Sequence, residues 1–290
     1  MKDLNYPPIQ LGLPKGRMQA NVFKLLASAG IHIAVPARGY RPQISLNGFD
    51  AKILKPQNIV EMLHAGSRDI GFTGADWVAE LNADLVELLD LKLDEVTLVA
   101  AAPGELIENG GLNFKGVVIA SEYERLTREW VAKKNLDAKF VKSFGATEVF
   151  PPEDADCIID ITATGETLEI NRLQIVENIL FSSTRLYANP KALDDPYKRK
   201  RCEEFVMLLS SVLDARLRVM VEINVSDENL QKVANILPCM RKPTVSPLND
   251  NTGFAVKAAI PKSQLPEIIP QIKLNGGTDI VVTSLNQIIA

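Results

Sequence analysis

The strongest constraint on the fold is an alternation of short apolar runs with amphipathic stretches along the first half of the chain. Short apolar runs bounded by turn residues predict buried strands, and apolar residues at helical spacing predict helices. This alternation is typical of βα units that form a largely parallel sheet, so an α/β fold is predicted. Strands are expected at 9–13, 69–73, 96–101, 116–120 and 157–161, with helices at 16–29, 56–64 and 123–134.

The chain is predicted to form two lobes and a third domain. The Pro-Gly pair that follows residue 102 predicts a crossing from lobe I (1–103) to lobe II (104–183), and residues 184–216 are expected to return to lobe I. Two lobes joined by two crossovers predict a cleft, which is a common place for a ligand. Residues 217–290 read as β-α-β-β-α-β, the order of a ferredoxin-like domain.

Composition excludes several classes of protein. Of the 290 residues, 46% are hydrophobic and 23% are charged, which excludes disordered and collagen-like chains. The net charge is −4 and no stripe of basic and aromatic residues is visible, so no nucleic-acid partner is expected. Three widely spaced cysteines predict neither a disulfide framework nor a zinc site. Neither an apolar leader nor an apolar run of membrane-spanning length is visible, so a cytoplasmic protein without a membrane partner is expected.

The segment Asp160–Thr167 carries the clearest signal for ligand binding. An apolar strand ends at Asp160, and a loop rich in Thr and Gly leads into a helical stretch. Backbone N–H groups and Thr hydroxyls in such a loop bind anions, and Gly165 allows the backbone to approach a phosphate. A carboxylate at the strand end can bind sugar hydroxyls. The same pattern also fits a Thr N-cap followed by a turn glycine, so both interpretations stay open on these residues alone.

Two further strand ends carry candidate binding residues. The segment Lys15–Arg17 places two cations beside a predicted helix N-terminus, which suits a pyrophosphate but is also common in solvated loops. Lys55 lies near another strand end, with the same alternative. Gly74 and Asp76 stand at a strand-to-helix junction, where Asp76 can bind a ligand or cap the helix.

Taken together, these segments resemble the ATP phosphoribosyltransferase family, which catalyses the first step of histidine biosynthesis. The resemblance covers essentially the whole chain. It rests on LPKGR at 13–17, ILKPQNIVEMLHAGSRDIGFTGAD at 53–76, GATE at 145–148 with DITATGETL at 160–168, NRLQIVE at 171–177 and LPCMRKPTVSPL at 237–248. The last segment is distinctive of the long form of the family, which has a C-terminal regulatory domain.

The resemblance implies a catalytic unit of two lobes like periplasmic solute-binding proteins, followed by an ACT-like ferredoxin-like domain. The implied reaction transfers the 5-phosphoribosyl group of phosphoribosyl pyrophosphate to N1 of ATP and releases pyrophosphate. Adenine N1 is unprotonated at neutral pH, so the site needs groups that stabilise an oxocarbenium-like centre rather than a strong base. Mg²⁺ held mainly by substrate oxygens, feedback inhibition by histidine, and a homo-oligomer from dimer to hexamer are also implied.

The resemblance further implies roles for individual residues. The phosphoribosyl substrate would be held through its 5-phosphate by Thr164, Gly165, Glu166 and Thr167, and through its ribose hydroxyls by Glu148 and Asp160. Pyrophosphate and triphosphate charge would be neutralised by Lys15, Arg17 and Lys55, with Gly16 between the first two. The nucleotide side of the cleft would be lined by Gly71, Gly74 and Asp76. Histidine would bind where two regulatory domains meet, near Asn224, Met240 and Thr244.

Three departures from the family pattern stand out. The segment Pro151–Asp154 is one residue shorter than usual and has no glycine, Lys92 stands where the family has Asp, and Asn224 stands where an acidic residue could bind the histidine amino group. A different class of function, a non-catalytic bilobed sensor of an anionic metabolite, would use the same lobes. A basic loop from one lobe and a Thr/Gly-rich loop from the other would face the same cleft, which favours the transferase over the sensor.

Overall fold

The computed structural model describes residues 6–36, 39–108, 111–112, 115–249 and 252–289. The chain divides into two compact units. The first contains the residues up to 27 together with 31–203, and the second contains 28–30 together with the residues from 204 onward. Both units combine helices with strands, so the predicted α/β class is confirmed.

The first unit contains strands β1–β12 and helices α1–α6. The strands are β1 (Ile9–Pro14), β2 (Ile33–Ala34), β3 (Gln43–Ile44), β4 (Phe49–Leu54), β5 (Ile70–Gly74), β6 (Val86–Pro103), β7 (Ile107–Glu108), β8 (Gly111–Leu112), β9 (Val117–Ser121), β10 (Ala138–Lys142), β11 (Cys157–Thr162) and β12 (Leu173–Ala188). The helices are α1 (Arg17–Ser28), α2 (Pro56–His64), α3 (Ala75–Glu80), α4 (Glu124–Lys134), α5 (Glu166–Ile170) and α6 (Pro190–Asp194). A longer helix, α7 (Pro196–Arg216), continues from the first unit into the second.

Local sequence explains several of these element boundaries. Proline at the first position of α2 supplies a preset φ where no N–H is needed. Helix α4 ends at Asn135, whose left-handed backbone (φ 53°) is one that Asn adopts more readily than most residues. Helix α1 buries Met18, Val22 and Leu25 along one stripe, so its apolar face packs on the interior.

One eight-stranded sheet forms the centre of the first unit, in the order β10-β9-β11-β6-β12-β5-β1-β4. Strands β9, β10 and β11 are mutually parallel on one side, and β1, β4 and β5 are mutually parallel on the other. The long strands β6 and β12 are antiparallel to each other and lie between these two sets. We call the β1-β4-β5 side the first half and the β9-β10-β11 side the second half.

The strand register makes the two halves face each other. Strand β5 runs along β12 and ends with Gly74 opposite Thr184, while β11 runs along β6 and ends with Thr162 opposite Thr97. Thr97 in turn pairs with Phe181 of β12. The carboxyl ends of both parallel sets therefore point toward the short stretch between Phe181 and Thr184. Ligands of open α/β sheets bind outside the carboxyl ends of the strands, so this stretch is the expected floor of a cleft.

A β-bulge in β6 lies on that floor. Lys92 and Asp94 both have positive φ, near 50°, and the register between β6 and β12 shifts beside them. Asp90 accepts a hydrogen bond from the backbone N–H of Lys92 (2.9 Å), and the Asp94 carboxylate accepts from Asn21 Nδ2 (2.7 Å) and Thr184 Oγ1 (2.8 Å). Side-chain hydrogen bonds thus hold this unusual backbone in place.

The second unit continues from α7 with four strands and two helices. They are β13 (Arg218–Val225), α8 (Asp227–Ile236), β14 (Thr244–Pro247), β15 (Phe254–Pro261), α9 (Leu265–Leu274) and β16 (Thr278–Ser284). The antiparallel sheet has the order β14-β15-β13-β16. Every second residue of β13, from Val219 to Val225, is buried. The predicted β-α-β-β-α-β order of the C-terminal part is confirmed.

The largest difference from the sequence-based strands concerns the two central ones. The segment predicted as a strand at 96–101 is part of β6, which extends over 18 residues, and the segment 173–188, for which no strand is predicted, forms the 16-residue β12. The lobe boundaries at 103, 183 and 216 stay a prediction. Within the described ranges, no helix combines the length and apolarity needed to cross a membrane.

Candidate active site

The first half presents two lysines side by side at the carboxyl ends of β1 and β4. These strands pair in register up to Pro14 opposite Leu54, and the Lys15 N–H donates to the carbonyl of Leu54 (2.8 Å). Lys15 and Lys55 are therefore adjacent, and both are exposed. Gly16 between strand and helix has φ +88°, a conformation that L side chains rarely adopt. Arg17 follows as the exposed first residue of α1.

These lysines line a cavity of about 760 Å³ with a strongly cationic wall. The polar side chains on this wall are Lys15, Tyr40, Arg41, Lys52, Lys55 and Asn58. Lys15 Nζ donates to Tyr40 Oη (3.3 Å) and lies 4.9 Å from the centre of the tyrosine ring. Asp50 lies 4.0 Å from Arg41, and the four cationic side chains of the wall leave the cavity able to accept an anionic group of substrate size.

The second half presents the predicted Thr/Gly-rich loop at the carboxyl end of β11. Gly165 has φ +85° with no atom within 4 Å of an added Cβ, so its backbone is open to a close approach. Its N–H donates to Thr162 Oγ1 (2.9 Å), and this bond holds the loop in a tight turn. Thr164, Glu166 and Thr167 are exposed around the turn. A compact turn with exposed hydroxyls is suited to an anion.

Asp160 lies next to this loop in an unusual electrostatic environment. Burial, and after it the charges of Glu148 and Glu122, raise the pKa of its carboxyl group to about 6. Hydrogen bonds from the Ile161 N–H (2.7 Å) and the Thr147 hydroxyl oppose this change by stabilising the carboxylate. The predicted pair Glu148 and Asp160 is therefore brought together by the fold.

The resemblance predicts that Gly71, Gly74 and Asp76 line the wall of the cleft, but the structure places them in the interior. All three are buried. A Cβ on Gly71 would lie 2.6 Å from Ile59 Cγ2, so this glycine lets α2 pack closely on the sheet. A Cβ on Gly74 would lie 2.1 Å from Asp76 Oδ1. Asp76 is 2% exposed and its carboxylate accepts hydrogen bonds from Tyr123 and Ser182, because it faces the interior between α3 and the rest of the sheet.

Four wall residues of the basic cavity have no role in the sequence-based site: Tyr40, Arg41, Lys52 and Asn58. A sequence signal exists for three of them. Tyr40 and Arg41 form a basic-aromatic segment just before β3, and the Tyr40 carbonyl accepts the N–H of Ile53, which ties this segment to β4 (2.8 Å). Lys52 alternates with the buried residues of β4, so its outward position follows from the strand period.

The residues predicted for regulation lie in the second unit. Thr244 pairs with Lys257, which pairs with Glu222, and Asn224 follows two residues later on the same face of the sheet. Met240 and Thr244 line a cavity of about 340 Å³, together with the cationic Arg241, Lys242 and Lys257. Asn224 does not line this cavity. It lies near the carboxyl end of β13, where its side-chain amide donates to Asp279 Oδ2 (3.2 Å).

Comparisons with known proteins agree across both units. Residues 55–211 match the family described as HisG, ATP phosphoribosyltransferase, and residues 215–287 match the family described as HisG, C-terminal domain. Relatives described as ATP phosphoribosyltransferase include those of Chlorobaculum parvum (35% identical) and Chlorobium phaeobacteroides (34% identical), each over 97% of both chains. A similar solved structure is the ATP phosphoribosyl transferase (HisG:HisZ) complex from Thermotoga maritima. It has a TM-score of 0.63 and 25% identity over 71% of this chain and 98% of that one.

Proposed function

The chain belongs to the ATP phosphoribosyltransferase family, and we propose that its cleft binds ATP and phosphoribosyl pyrophosphate between the two halves of the sheet, with the 5-phosphate on one half and the pyrophosphate and triphosphate on the other. The family reaction transfers the phosphoribosyl group to N1 of ATP, as the first step of histidine biosynthesis. One observation carries the proposal: the register of β6 and β12 makes the carboxyl ends of the two parallel sets face each other.

The second half is proposed to bind the phosphoribosyl group. The 5-phosphate would contact the turn at Thr164–Thr167, where Gly165 leaves the backbone open and hydroxyls are exposed. The ribose hydroxyls would contact Glu148 and Asp160, since carboxylates accept hydrogen bonds from hydroxyl groups. With its pKa near 6, Asp160 is mostly ionised at neutral pH and acts as an acceptor.

The first half is proposed to bind the remaining phosphate charge. Lys15, Arg17 and Lys55 would neutralise the leaving pyrophosphate and the triphosphate of ATP, with Arg41 and Lys52 on the same wall. Cations placed where negative charge develops lower the barrier for departure of pyrophosphate. Adenine N1 then attacks C1′ of the ribose, forming the N–C bond as the C–O bond to pyrophosphate breaks. Glu148 and Asp160 hold the ribose during this displacement.

Mg²⁺ is proposed as the metal of the reaction, where it would neutralise pyrophosphate oxygens. Across the described residues, no three or more His, Cys, Asp and Glu side chains are arranged to hold a metal ion by themselves. Asp160 and Glu148 offer the oxygen donors that Mg²⁺ prefers, in a number that fits a cation held mainly by substrate.

Feedback inhibition at the second unit is also proposed, since Arg241 and Lys242 beside Met240 suit the carboxylate of histidine. We also propose that the chain forms a homo-oligomer and that it is located in the cytoplasm.

The assay that tests the proposed reaction is pyrophosphate release from the full chain with both substrates and Mg²⁺. We expect release only when ATP and phosphoribosyl pyrophosphate are both present, with the product joined through adenine N1 by NMR. An anion sensor would bind one or both compounds without releasing pyrophosphate, and that result would overturn the proposal. The Lys15→Ala variant is the control, because removing this cation should reduce release without unfolding the chain.

A further inference from the structure

Helices α3 and α4 join the two halves of the first unit directly. Helix α3 follows β5 of the first half, and α4 begins just after β9 of the second half. Glu80 at the end of α3 is 8% exposed, and its carboxylate oxygens accept the N–H groups of Arg125 (3.0 Å) and Leu126 (3.0 Å). These donors lie in the first turn of α4, which has no partner for them within the helix.

The contact is reciprocal. The guanidinium group of Arg125 donates to the carbonyl oxygens of Ala79 and Glu80, which belong to the last turn of α3. Each helix therefore satisfies the free backbone groups at the end of the other. Such an arrangement fixes both the distance and the direction between the two helix ends.

Tyr123 adds a second connection between the same elements. Its hydroxyl donates to Asp76 Oδ2 (2.7 Å), and its ring stacks on Trp77 with centroids 4.6 Å apart. The other oxygen of Asp76 accepts from Ser182 Oγ on β12, at the floor of the cleft. Burial and the neighbouring Asp76 raise the pKa of Tyr123, so the hydroxyl keeps its proton and stays a donor.

The position of Tyr123 matters for the groups that would hold ribose. Tyr123 directly follows Ser121-Glu122 at the carboxyl end of β9, and the charge of Glu122 acts on Asp160. Ser121 Oγ donates to the carbonyl of Ile159 on β11, next to Asp160 (2.5 Å). A shift of this strand end would move the ribose site relative to the cationic wall around Lys15.

We propose that Tyr123 is a positioning residue for phosphoribosyl transfer, because its hydrogen bond to Asp76 keeps the two substrate-binding halves in register. This inference rests on the proposed function. The triphosphate of ATP would keep its contacts within the first half, so ATP binding changes little when the halves shift, whereas phosphoribosyl pyrophosphate contacts both halves. The alignment of adenine N1 with C1′ spans both halves, and it is sensitive to displacements of about 1 Å.

The test is the Tyr123→Phe variant, which removes the hydroxyl and keeps the ring. We expect kcat for pyrophosphate release to fall by about ten-fold or more, while KM for ATP changes by less than about three-fold. The matched control is Thr127→Val, which removes another buried hydroxyl whose hydrogen bond, to the Tyr123 carbonyl, does not cross between the halves. Both variants should lower Tm by similar amounts, but Thr127→Val should retain the kcat of the parent.

A kcat for Tyr123→Phe equal to that of Thr127→Val, at similar Tm, would overturn the inference. If Tyr123→Phe does not fold, Ser182→Ala removes the other hydrogen bond to Asp76, and the same separation of kcat from KM is expected. An unchanged kcat in Ser182→Ala would then overturn it. Failure of the proposed function is a separate result, since in that case the parent chain itself releases no pyrophosphate.

Discussion

Replacing Asp160 by Asn is expected to stabilise the first unit at neutral pH while stopping the reaction. The carboxyl group of Asp160 is buried beside Glu148 and Glu122, and its pKa rises from 3.8 to about 6. Asn keeps an oxygen that accepts the Ile161 N–H and an amide that can pair with the Thr147 hydroxyl, but it carries no charge. The ribose hydroxyls lose a charged acceptor at the same time.

The direction of the pH dependence follows from the raised pKa. Below about pH 3 the carboxyl group is protonated in both the folded and the unfolded chain, so its burial does not lower the stability of the parent. As the pH rises from about 3 to 6, the unfolded chain releases its proton first, and the folded parent loses stability. A pKa difference between 3.8 and about 6 corresponds to a free energy of up to about 3 kcal/mol at pH 7.

Urea unfolding monitored by tryptophan fluorescence measures this difference. The chain has two tryptophans, and both, Trp77 and Trp130, belong to the first unit, so fluorescence follows the unit that contains Asp160. Asp160→Asn should be more stable than the parent by about 1–3 kcal/mol at pH 7, with the difference vanishing near pH 3. The exposed Glu153→Gln nearby should change stability by less than about 0.5 kcal/mol. An Asp160→Asn variant no more stable than the parent at pH 7, or a gain that persists unchanged at pH 3, would refute the reasoning.

Four further outcomes are expected. Lys15→Ala should lower turnover strongly without unfolding the chain, because Lys15 is exposed on the cavity wall; steady-state kinetics and circular dichroism check this. Thr167→Val should weaken phosphoribosyl pyrophosphate binding about ten- to a hundred-fold, since a lost hydrogen bond to a charged group costs about 1.5–3 kcal/mol; calorimetry measures it. Deleting residues 217–290 should abolish inhibition by histidine in initial-rate assays, and histidine should promote a hexamer of the intact chain in ultracentrifugation. An intact enzyme whose initial rate is unchanged by millimolar histidine would contradict the regulatory proposal.

Helices and strands that keep one pattern of burial along their whole length were predictable from the sequence. Helix α2 is predicted at 56–64 and found at Pro56–His64, because proline and an apolar stripe mark it unambiguously. The C-terminal β-α-β-β-α-β order follows from strict alternation in β13. By contrast, β6 is buried near residue 100 but partly exposed before residue 96, and a bulge interrupts its period. No single pattern of burial therefore marks this strand as one element.

The candidate site was predictable where its residues follow strand ends. Lys15, Lys55 and the turn after Asp160 all stand at carboxyl ends of parallel strands, where sequence position and location in the fold coincide. Asp76 shows why the other residues of the site could not be predicted. Its partners Tyr123 and Ser182 lie 47 and 106 residues away, and such long-range pairing decides whether a carboxylate faces a ligand or the interior.

A crystal structure of the full chain with phosphoribosyl pyrophosphate and ATP tests most directly whether the two halves share the substrates. The account predicts the 5-phosphate within hydrogen-bond distance of the turn at Thr164–Thr167, and the ribose hydroxyls at Glu148 and Asp160. Pyrophosphate or triphosphate oxygens should lie within about 4 Å of the Lys15 and Lys55 ammonium groups. A 5-phosphate bound at the lysines, or all phosphates bound on one half of the sheet, would contradict it.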